Sequence, residues 1–274
     1  MKRDTSIDSA AGIMILYMVF VHVFQHFHLE QTALFVTMQH LLYFFMPWFF
    51  FKAGMFFKAG DNKEVFMKST KRLIKPFIIY SLIGHICWCL LCYLDGNLTL
   101  SELFPVKAFL FVGSISGNLP LWFLLSLFAC RIIFNYALNK NIPVQLVSVV
   151  SLAFASLLHF TGFEYPLYVA NISTGLFFMS LGYFITKRFT ITPPLLAICL
   201  VMWVLQQFFP SFVGMRSNQL YYGFYLLWIV NSLAGIICIN AICHRFKRIF
   251  SCFEIVGRYS MEIYCIHWIP LMFI

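Results

Sequence analysis

The chain has few charged residues for its length. Lys, Arg, Asp and Glu make up 11% of the 274 residues, whereas soluble domains average roughly 25%. Acidic side chains are the scarcer group, with 10 Asp and Glu against 19 Lys and Arg. So low a charge content excludes an ordinary soluble domain of this size.

The sequence also lacks a recognisable cleavable signal peptide and pairs of cysteines in the predicted outer loops. The first apolar run follows basic residues but is too long for a cleavable signal peptide and has no small-residue cleavage site, so we expect a retained span. The nine cysteines fall mostly inside apolar runs, as Cys87, Cys89 and Cys92 do, and none pairs in an outer loop. We expect them to be buried small apolar residues, without disulfides.

Long hydrophobic runs dominate the sequence. Hydrophobic residues make up 61% of the chain, and the mean hydropathy is +0.84. Runs of about 20 apolar residues are long enough to cross a bilayer as helices. We therefore predict an all-α polytopic transmembrane helix bundle. Its nine predicted spans cover roughly 9–28, 33–57, 74–94, 120–138, 143–161, 166–185, 191–209, 224–242 and 256–274.

The basic residues predict the orientation of these spans. In the predicted topology, 17 of the 19 Lys and Arg residues lie on the side of the N-terminus, and only Lys107 and Arg216 lie opposite. By the positive-inside rule the N-terminus is cytoplasmic. The net charge of +9 is then a topology signal, with no nucleic-acid partner expected. Segment 61–75 is predicted to be an interfacial amphipathic helix and 100–120 a re-entrant or interfacial one.

Four histidines lie at similar predicted depths in the membrane: His22, His40, His85 and His267. Polar groups are costly there, so we expect spans one, three and nine to pack together, with His22, His85 and His267 lining one cavity. The alternative for each is a neutral histidine packed against a neighbouring carbonyl. His26 follows His22 at metal-ligand spacing, but a third ligand is missing, so no metal is expected.

Five short motifs, in order along nearly the whole chain, resemble membrane-bound acyltransferase family three. At two family positions the chain departs from the pattern: Ala11 replaces a basic residue, and Ala53 replaces a serine. The matching residues are Asp8, Gly12 and His22; Met46, Pro47, Phe49, Phe50 and Gly54; Arg72 and Pro76; Trp122, Phe123 and Leu124; and Ser260, Ile263, Tyr264 and His267.

The resemblance implies a single transmembrane acyltransferase domain over 1–274, multi-pass in a bacterial inner (plasma) membrane. It implies transfer of an acyl group, acetyl above all, from cytoplasmic acyl-CoA to a hydroxyl of a sugar or exported glycan. The expected partners are acyl-CoA as co-substrate, a carbohydrate or lipid-linked glycan acceptor, and membrane lipids, with no permanently bound cofactor. Members have about ten helices, and this chain ends in mid-helix, so it is a short member or is truncated at its C-terminus.

Acyl transfer to an alcohol needs a base and groups that hold each substrate. We expect His22 to be the base and His267 a second catalytic residue. Arg131 should face the bundle interior, and Glu262 should pair with Arg258. The remaining assignments are Arg72, Lys71, Lys75 and Arg3 for the nucleotide phosphates of coenzyme A, and Trp122, His85 and Tyr264 for the acceptor.

Other interpretations stay open. The basic residues follow from the positive-inside rule alone, and Trp122 fits an aromatic belt at the membrane interface. A membrane transporter or exporter would also need intramembrane polar groups, although the helix-breaking pairs in symmetric halves that it predicts are absent. An inactive homologue that serves as a partner or scaffold would explain Ala11 and Ala53.

Overall fold

The computed structural model describes residues 4–188 and 190–274, and this part of the chain is almost entirely helical. Its only sheet is one two-stranded hairpin of β1 (Phe212–Gly214) and β2 (Gln219–Tyr222). The helices are α1 (Thr5–His26), α2 (Ala33–Leu42), α3 (Phe45–Met55), α4 (Asn62–Ser69), α5 (Lys75–Leu94), α6 (Leu100–Leu103), α7 (Val106–Val112), α8 (Trp122–Asn139), α9 (Val144–Phe160), α10 (Leu167–Arg188), α11 (Pro193–Leu205), α12 (Tyr225–Arg245), α13 (Lys247–Phe250), α14 (Glu254–Arg258), α15 (Ser260–Ile266) and α16 (Trp268–Leu271).

Six helical stretches within the described residues are long and apolar enough to cross a membrane. Two shorter apolar helices, α9 and α11, fall at the fifth and seventh predicted spans. The predicted all-α class is confirmed, while the count of nine spans and the cytoplasmic N-terminus stay predictions. The six stretches are Thr5–His26, Ala33–Met55, Asn62–Leu94, Gly117–Asn139, Leu167–Arg188 and Tyr225–Arg245.

The described residues divide into two compact units. The first contains the described residues of 1–49, 188–214 and 220–264, and the second contains 50–187, 215–219 and 265–274. Each unit is therefore assembled from segments that are distant in sequence.

In the first unit, α1 and α14 cross at two glycines. A Cβ atom on Gly257 would lie 1.7 Å from the carbonyl oxygen of Asp8, and one on Gly12 would lie 2.2 Å from that of Phe253. Such distances leave no room for any side chain, because the obstructing atoms belong to the backbone. Glycine at both positions lets the two helix backbones approach closely.

Asp4 caps the N-terminus of α1 in the first unit. Its carboxylate accepts hydrogen bonds from the backbone N–H and the hydroxyl of Ser6, and it lies 3.2 Å from Nζ of Lys247. Partial burial raises the pKa of Asp4, but the hydrogen bonds from Ser6 and the Lys247 charge outweigh it, so the net pKa lies below the ordinary value. A lowered carboxyl pKa contributes stability above the ordinary pKa of 3.8 and loses it as pH falls through the folded-state pKa.

Pro47 divides the second predicted span. Proline has no N–H to bond the carbonyl four residues earlier, at Tyr43, and α2 ends one residue before that. The interrupted helix leaves backbone carbonyls that need other donors. Trp203 Nε1 donates to the carbonyl of Leu41 at 2.9 Å, and Gln207 Nε2 donates to that of His40 at 2.8 Å, so α11 and the turn that follows it supply donors at the break.

In the second unit, α4 and α5 form one continuous helical stretch. A helix is confirmed within the predicted segment 61–75, as α4 followed by a π-helical turn, Thr70–Ile74, while its interfacial position stays a prediction. The turn leads directly into α5, and Pro76 lies in the first turn of that helix. Asn135 on α8 anchors the start of this stretch, because its side chain bonds the backbone of Gly60 and the side chain of Asn62.

A buried polar network holds the hairpin turn 215–219 in the second unit. Asn171 accepts from the Ser126 hydroxyl at 2.6 Å and donates to the carbonyl of Arg216 at 3.1 Å. Asn218 accepts from Thr174 at 3.0 Å and donates to the carbonyl of Ala155 at 2.9 Å. Hydrogen-bonded amides of this kind fix one conformation of an otherwise irregular segment.

The ninth predicted span is not one helix. It consists of α14, α15 and α16, with a break at Tyr259 and another at His267. The second break follows from Pro270, which cannot donate to the carbonyl of Ile266, the last residue of α15.

The predicted ion pair between Glu262 and Arg258 is wrong. Arg258 pairs with Glu254 at 3.6 Å instead, one turn earlier on the same helix. The break at Tyr259 separates Arg258 from Glu262, so the helical spacing on which that prediction relied does not exist.

Candidate active site

His22 lies on the buried face of α1. Residues 8, 11, 15, 18 and 22 fall within one narrow arc of a helix with 100° per residue, and the first four are buried. The aromatic residues Phe20 and Phe24 lie on the opposite face, where both rings stack on Phe35 of α2. Unlike the residues below it, His22 is only half-buried. The imidazole therefore lies on the same face of α1 as these buried residues, but nearer the C-terminal end of the helix, where the side chains are less tightly packed.

Ala11 and Asp8 occupy the tightly packed part of the same stripe. Ala11 is 0% exposed and Asp8 is 5% exposed. Fourteen residues separate Asp8 from His22, about 21 Å along a helix, so the carboxylate cannot bond that imidazole. The basic residue typical of the family at position 11 would have no room here without displacement of the neighbouring helices.

In the second unit, the 3-10 segment Ser116–Leu121 is the platform on which two histidine-bearing segments pack. A Cβ atom on Gly117 would lie 1.9 Å from the carbonyl oxygen of Gly84 and 2.6 Å from the backbone nitrogen of His85. The next residue, Asn118, is 0% exposed and donates from Nδ2 to the carbonyl of Cys265 at 3.0 Å. Adjacent residues of one segment thus position His85 on α5 and the chain just before His267.

Asn118 is a residue that the sequence analysis missed. Its Oδ1 is buried and accepts no hydrogen bond from the described residues. The Nδ2 bond to Cys265 fixes the orientation of the amide, so Oδ1 presents an acceptor in a fixed position. A signal existed in the sequence, because a lone amide stands in the apolar stretch that leads to Trp122.

The other candidate residues differ in accessibility. The His85 ring is half-buried, with Nε2 3.2 Å from the carbonyl oxygen of Leu103, and that contact ties α5 to α6. Trp122, Tyr264 and His267 are buried, with 7%, 5% and 9% of their surfaces exposed. His267 precedes the first residue of α16, at the break caused by Pro270. The roles predicted for these four residues stay predictions.

The cationic candidates lie on the π-helical turn and the start of α5. Lys71, Arg72 and Lys75 are exposed, whereas Arg3 lies outside the described residues. Arg131 on α8 extends towards the same stretch, as predicted for an interior-facing residue. Its Nε donates to the hydroxyl of Ser69 at 3.1 Å.

No group of three metal-ligating side chains occurs among the residues that the structure describes. No disulfide joins two cysteines of these residues. Imidazole and guanidinium groups, which the described chain contains, are suited to proton transfer and to anion binding.

Helices long and apolar enough to cross a membrane place the described chain among candidate membrane proteins. The family model for an acyltransferase domain matches residues 4–274, essentially the whole chain. The chain belongs to acyltransferase family three. It is a membrane acyltransferase. No curated protein and no solved structure gives a significant match.

Proposed function

We propose that this protein transfers an acetyl group from cytoplasmic acetyl-CoA to a hydroxyl group of a sugar on an exported or lipid-linked glycan, in a bacterial inner membrane. The observation that carries the proposal is the position of His22. It faces the same side of α1 as the buried residues Ala11, Ile15 and Met18, yet it is not closed over. A general base must lie within hydrogen-bond reach of its substrate, so an inward, half-buried imidazole meets that need.

In this mechanism His22 accepts the proton of the acceptor hydroxyl. The hydroxyl oxygen forms a bond to the thioester carbonyl carbon, and the carbonyl electrons move to the oxygen of a tetrahedral intermediate. The intermediate collapses with cleavage of the carbon–sulfur bond, and the coenzyme A thiolate takes the proton from His22. General base catalysis of this type typically contributes about 10²–10⁴-fold.

The donor assignment has separate support in the second unit. The nucleotide end of coenzyme A carries several phosphate charges, and the exposed cations Lys71, Arg72 and Lys75 follow one another along a single helical turn and a half. Guanidinium and ammonium groups are the usual protein contacts for phosphate. In the proposal His267 is a second residue that transfers protons. Asn118 positions the backbone just before His267 through its hydrogen bond to the carbonyl of Cys265.

The reaction is tested with inverted membrane vesicles that contain the protein and acetyl-CoA labelled in the acetyl group. The expected result is release of coenzyme A thiol together with label in a glycan fraction, as an ester that mild base cleaves. Vesicles from cells without the protein are the control. Absence of protein-dependent thiol release with every glycan fraction supplied would contradict the proposal and favour an inactive homologue or an exporter.

A further inference from the structure

We propose that Arg131 and Arg72 form a two-arginine site for phosphate oxygens, with the nucleotide end of the donor as its occupant. The inference rests on the acyl-CoA donor proposed above. It adds Arg131, a residue inside the predicted fourth span, to the exposed cations of the π-helical turn.

Arg131 is held in one orientation by two contacts. Nε donates to Ser69, which is 1% exposed, and the guanidinium carbon lies 5.1 Å from the centre of the Phe57 ring. Both contacts leave the two Nη groups without a hydrogen-bond partner in the described part of the chain. A planar guanidinium that is fixed at Nε and open at Nη presents the edge that binds two phosphate oxygens at once.

A second cation lies close to the first, and an acidic partner is lacking. Arg72 lies on the π-helical turn that begins directly after Ser69, and Ser69 is the residue to which Arg131 donates its hydrogen bond. Neither arginine forms an ion pair with a carboxylate of residues 4–188 or 190–274, and Glu64, on the neighbouring helix, pairs with Lys68. Two like charges held together without a carboxylate are destabilising, and an anion bound between them removes that cost.

The π-helical turn is what brings these groups together. Thr70–Ile74 follows Ser69 directly, and the wider turn carries Arg72. π-Helical turns are rare and recur at functional sites. The Thr70 hydroxyl oxygen is buried and lacks a partner among the described residues, so it offers a further donor next to Ser69. A structural role for Arg131 alone would require neither Arg72 nor the turn.

The site is tested by equilibrium binding of adenosine 3′,5′-bisphosphate to purified protein in neutral detergent, which requires no acyl chemistry. Arg131→Gln and Arg72→Gln should each weaken binding on the order of 10- to 100-fold, the usual loss for a hydrogen bond to a charged group. Arg248→Gln, an equal charge change at an exposed position in the first unit, should leave the affinity unchanged. Unchanged affinity in both Arg131→Gln and Arg72→Gln overturns the proposal.

Two further measurements distinguish loss of the phosphate site from misfolding of the variant and from binding of a lipid headgroup. Arg72 makes no hydrogen bond or ion pair within the described chain and is exposed, so Arg72→Gln tests the site even if Arg131→Gln unfolds. Micelles that contain phosphatidylglycerol test the other phosphate source. If this lipid binds in an arginine-dependent way and the bisphosphate does not, the site is a lipid site and the donor proposal is wrong.

The outcome distinguishes this site from the proposed reaction. If Arg131→Gln turns over acetyl-CoA with an unchanged donor KM, the proposed reaction is supported and the proposed arginine site is wrong. If the protein binds the bisphosphate in an arginine-dependent way but does not turn over acetyl-CoA, the anion site is supported and the proposed reaction is wrong.

Discussion

Replacing Gly257 with alanine should separate α14 from α1 and destabilise the first unit. The added Cβ would lie 1.7 Å from the Asp8 carbonyl oxygen and 2.9 Å from the Gly12 nitrogen. Both atoms belong to the backbone of α1, so a rotamer change cannot relieve the clash. Overpacking of a core costs typically 1–3 kcal/mol, and with the backbone as the obstacle we expect about 2–3 kcal/mol.

The sign of the effect makes the test decisive. In a helix that is not crowded, alanine is about 1 kcal/mol more favourable than glycine, so the same substitution would be stabilising. A loss of about 2–3 kcal/mol corresponds to a fall of roughly 4–12 °C in Tm for a domain near this size. The assay is the fraction of detergent-purified protein that stays monodisperse after heating.

Gly60→Ala is the matched control. A Cβ at Gly60 would meet its nearest atoms, on Glu64 and Val65, at 3.4 and 3.5 Å, which is ordinary contact. Gly12→Ala should lower the stability of the first unit as Gly257→Ala does. The double variant should lose less stability than the sum of the two single losses, because both substitutions separate the same pair of helices. A Gly257→Ala protein as heat-stable as the wild type would refute the close crossing of the two helices.

Three further predictions concern the polar network, the cap and the orientation. Asn171→Leu removes the hydrogen bond from Asn171 to the Arg216 carbonyl and should cost about 1–3 kcal/mol, seen as a lower Tm and faster proteolysis at 215–219. An unchanged Tm would contradict the network. Asp4→Asn keeps a capping side chain but loses the charge facing Lys247, so it should lower the free energy of unfolding near neutral pH by less than about 1 kcal/mol. Below pH 3.8 the stability of the variant should fall less steeply than that of the wild type. An equally steep fall in acid would contradict the lowered pKa of Asp4. Cys252 is exposed and lies on the predicted cytoplasmic side, so a membrane-impermeant maleimide should label it in inverted vesicles only; labelling in right-side-out vesicles would reverse the predicted topology.

The long apolar runs predicted most of the longer helices within a few residues of their observed bounds. The third span was expected at 74–94, and α5 covers Lys75–Leu94. Pro270 interrupts the ninth predicted span by the mechanism that acts at Pro47, and it was not recognised in the sequence analysis. The ninth span was therefore drawn as one helix, although the carbonyl of Ile266 has no N–H donor at Pro270.

The family glycines were matched by pattern, and the structure gives their physical reason. Gly12 allows α1 to cross α14, and a Cβ on Gly54 would lie 1.9 Å from the carbonyl oxygen of Met179 on α10. Those partners are more than a hundred residues away in sequence. A single sequence carries no record of which distant backbone meets a glycine, so such crossings could not be predicted.

The site was predictable to the extent that it depends on helical spacing. His22 was selected by its depth in an apolar run, and on α1 it lies on the same side as the buried residues Asp8, Ala11, Ile15 and Met18. The roles of Asn118 and Arg131 depend on contacts with Cys265 and Ser69, at separations of 147 and 62 residues. Those contacts arise from tertiary packing and leave no periodic signal.

The most direct test of the account compares His22→Ala with His26→Ala in the acetyl-transfer assay. The two histidines lie one turn apart on α1, and His26 is exposed at the end of the helix, so the pair is matched in residue type and element. With equal amounts of each protein in the membrane, His22→Ala should lower the transfer rate about 10²–10⁴-fold, while His26→Ala should stay near the wild-type rate. Transfer by His22→Ala at the wild-type rate would contradict the assignment of His22 as the base.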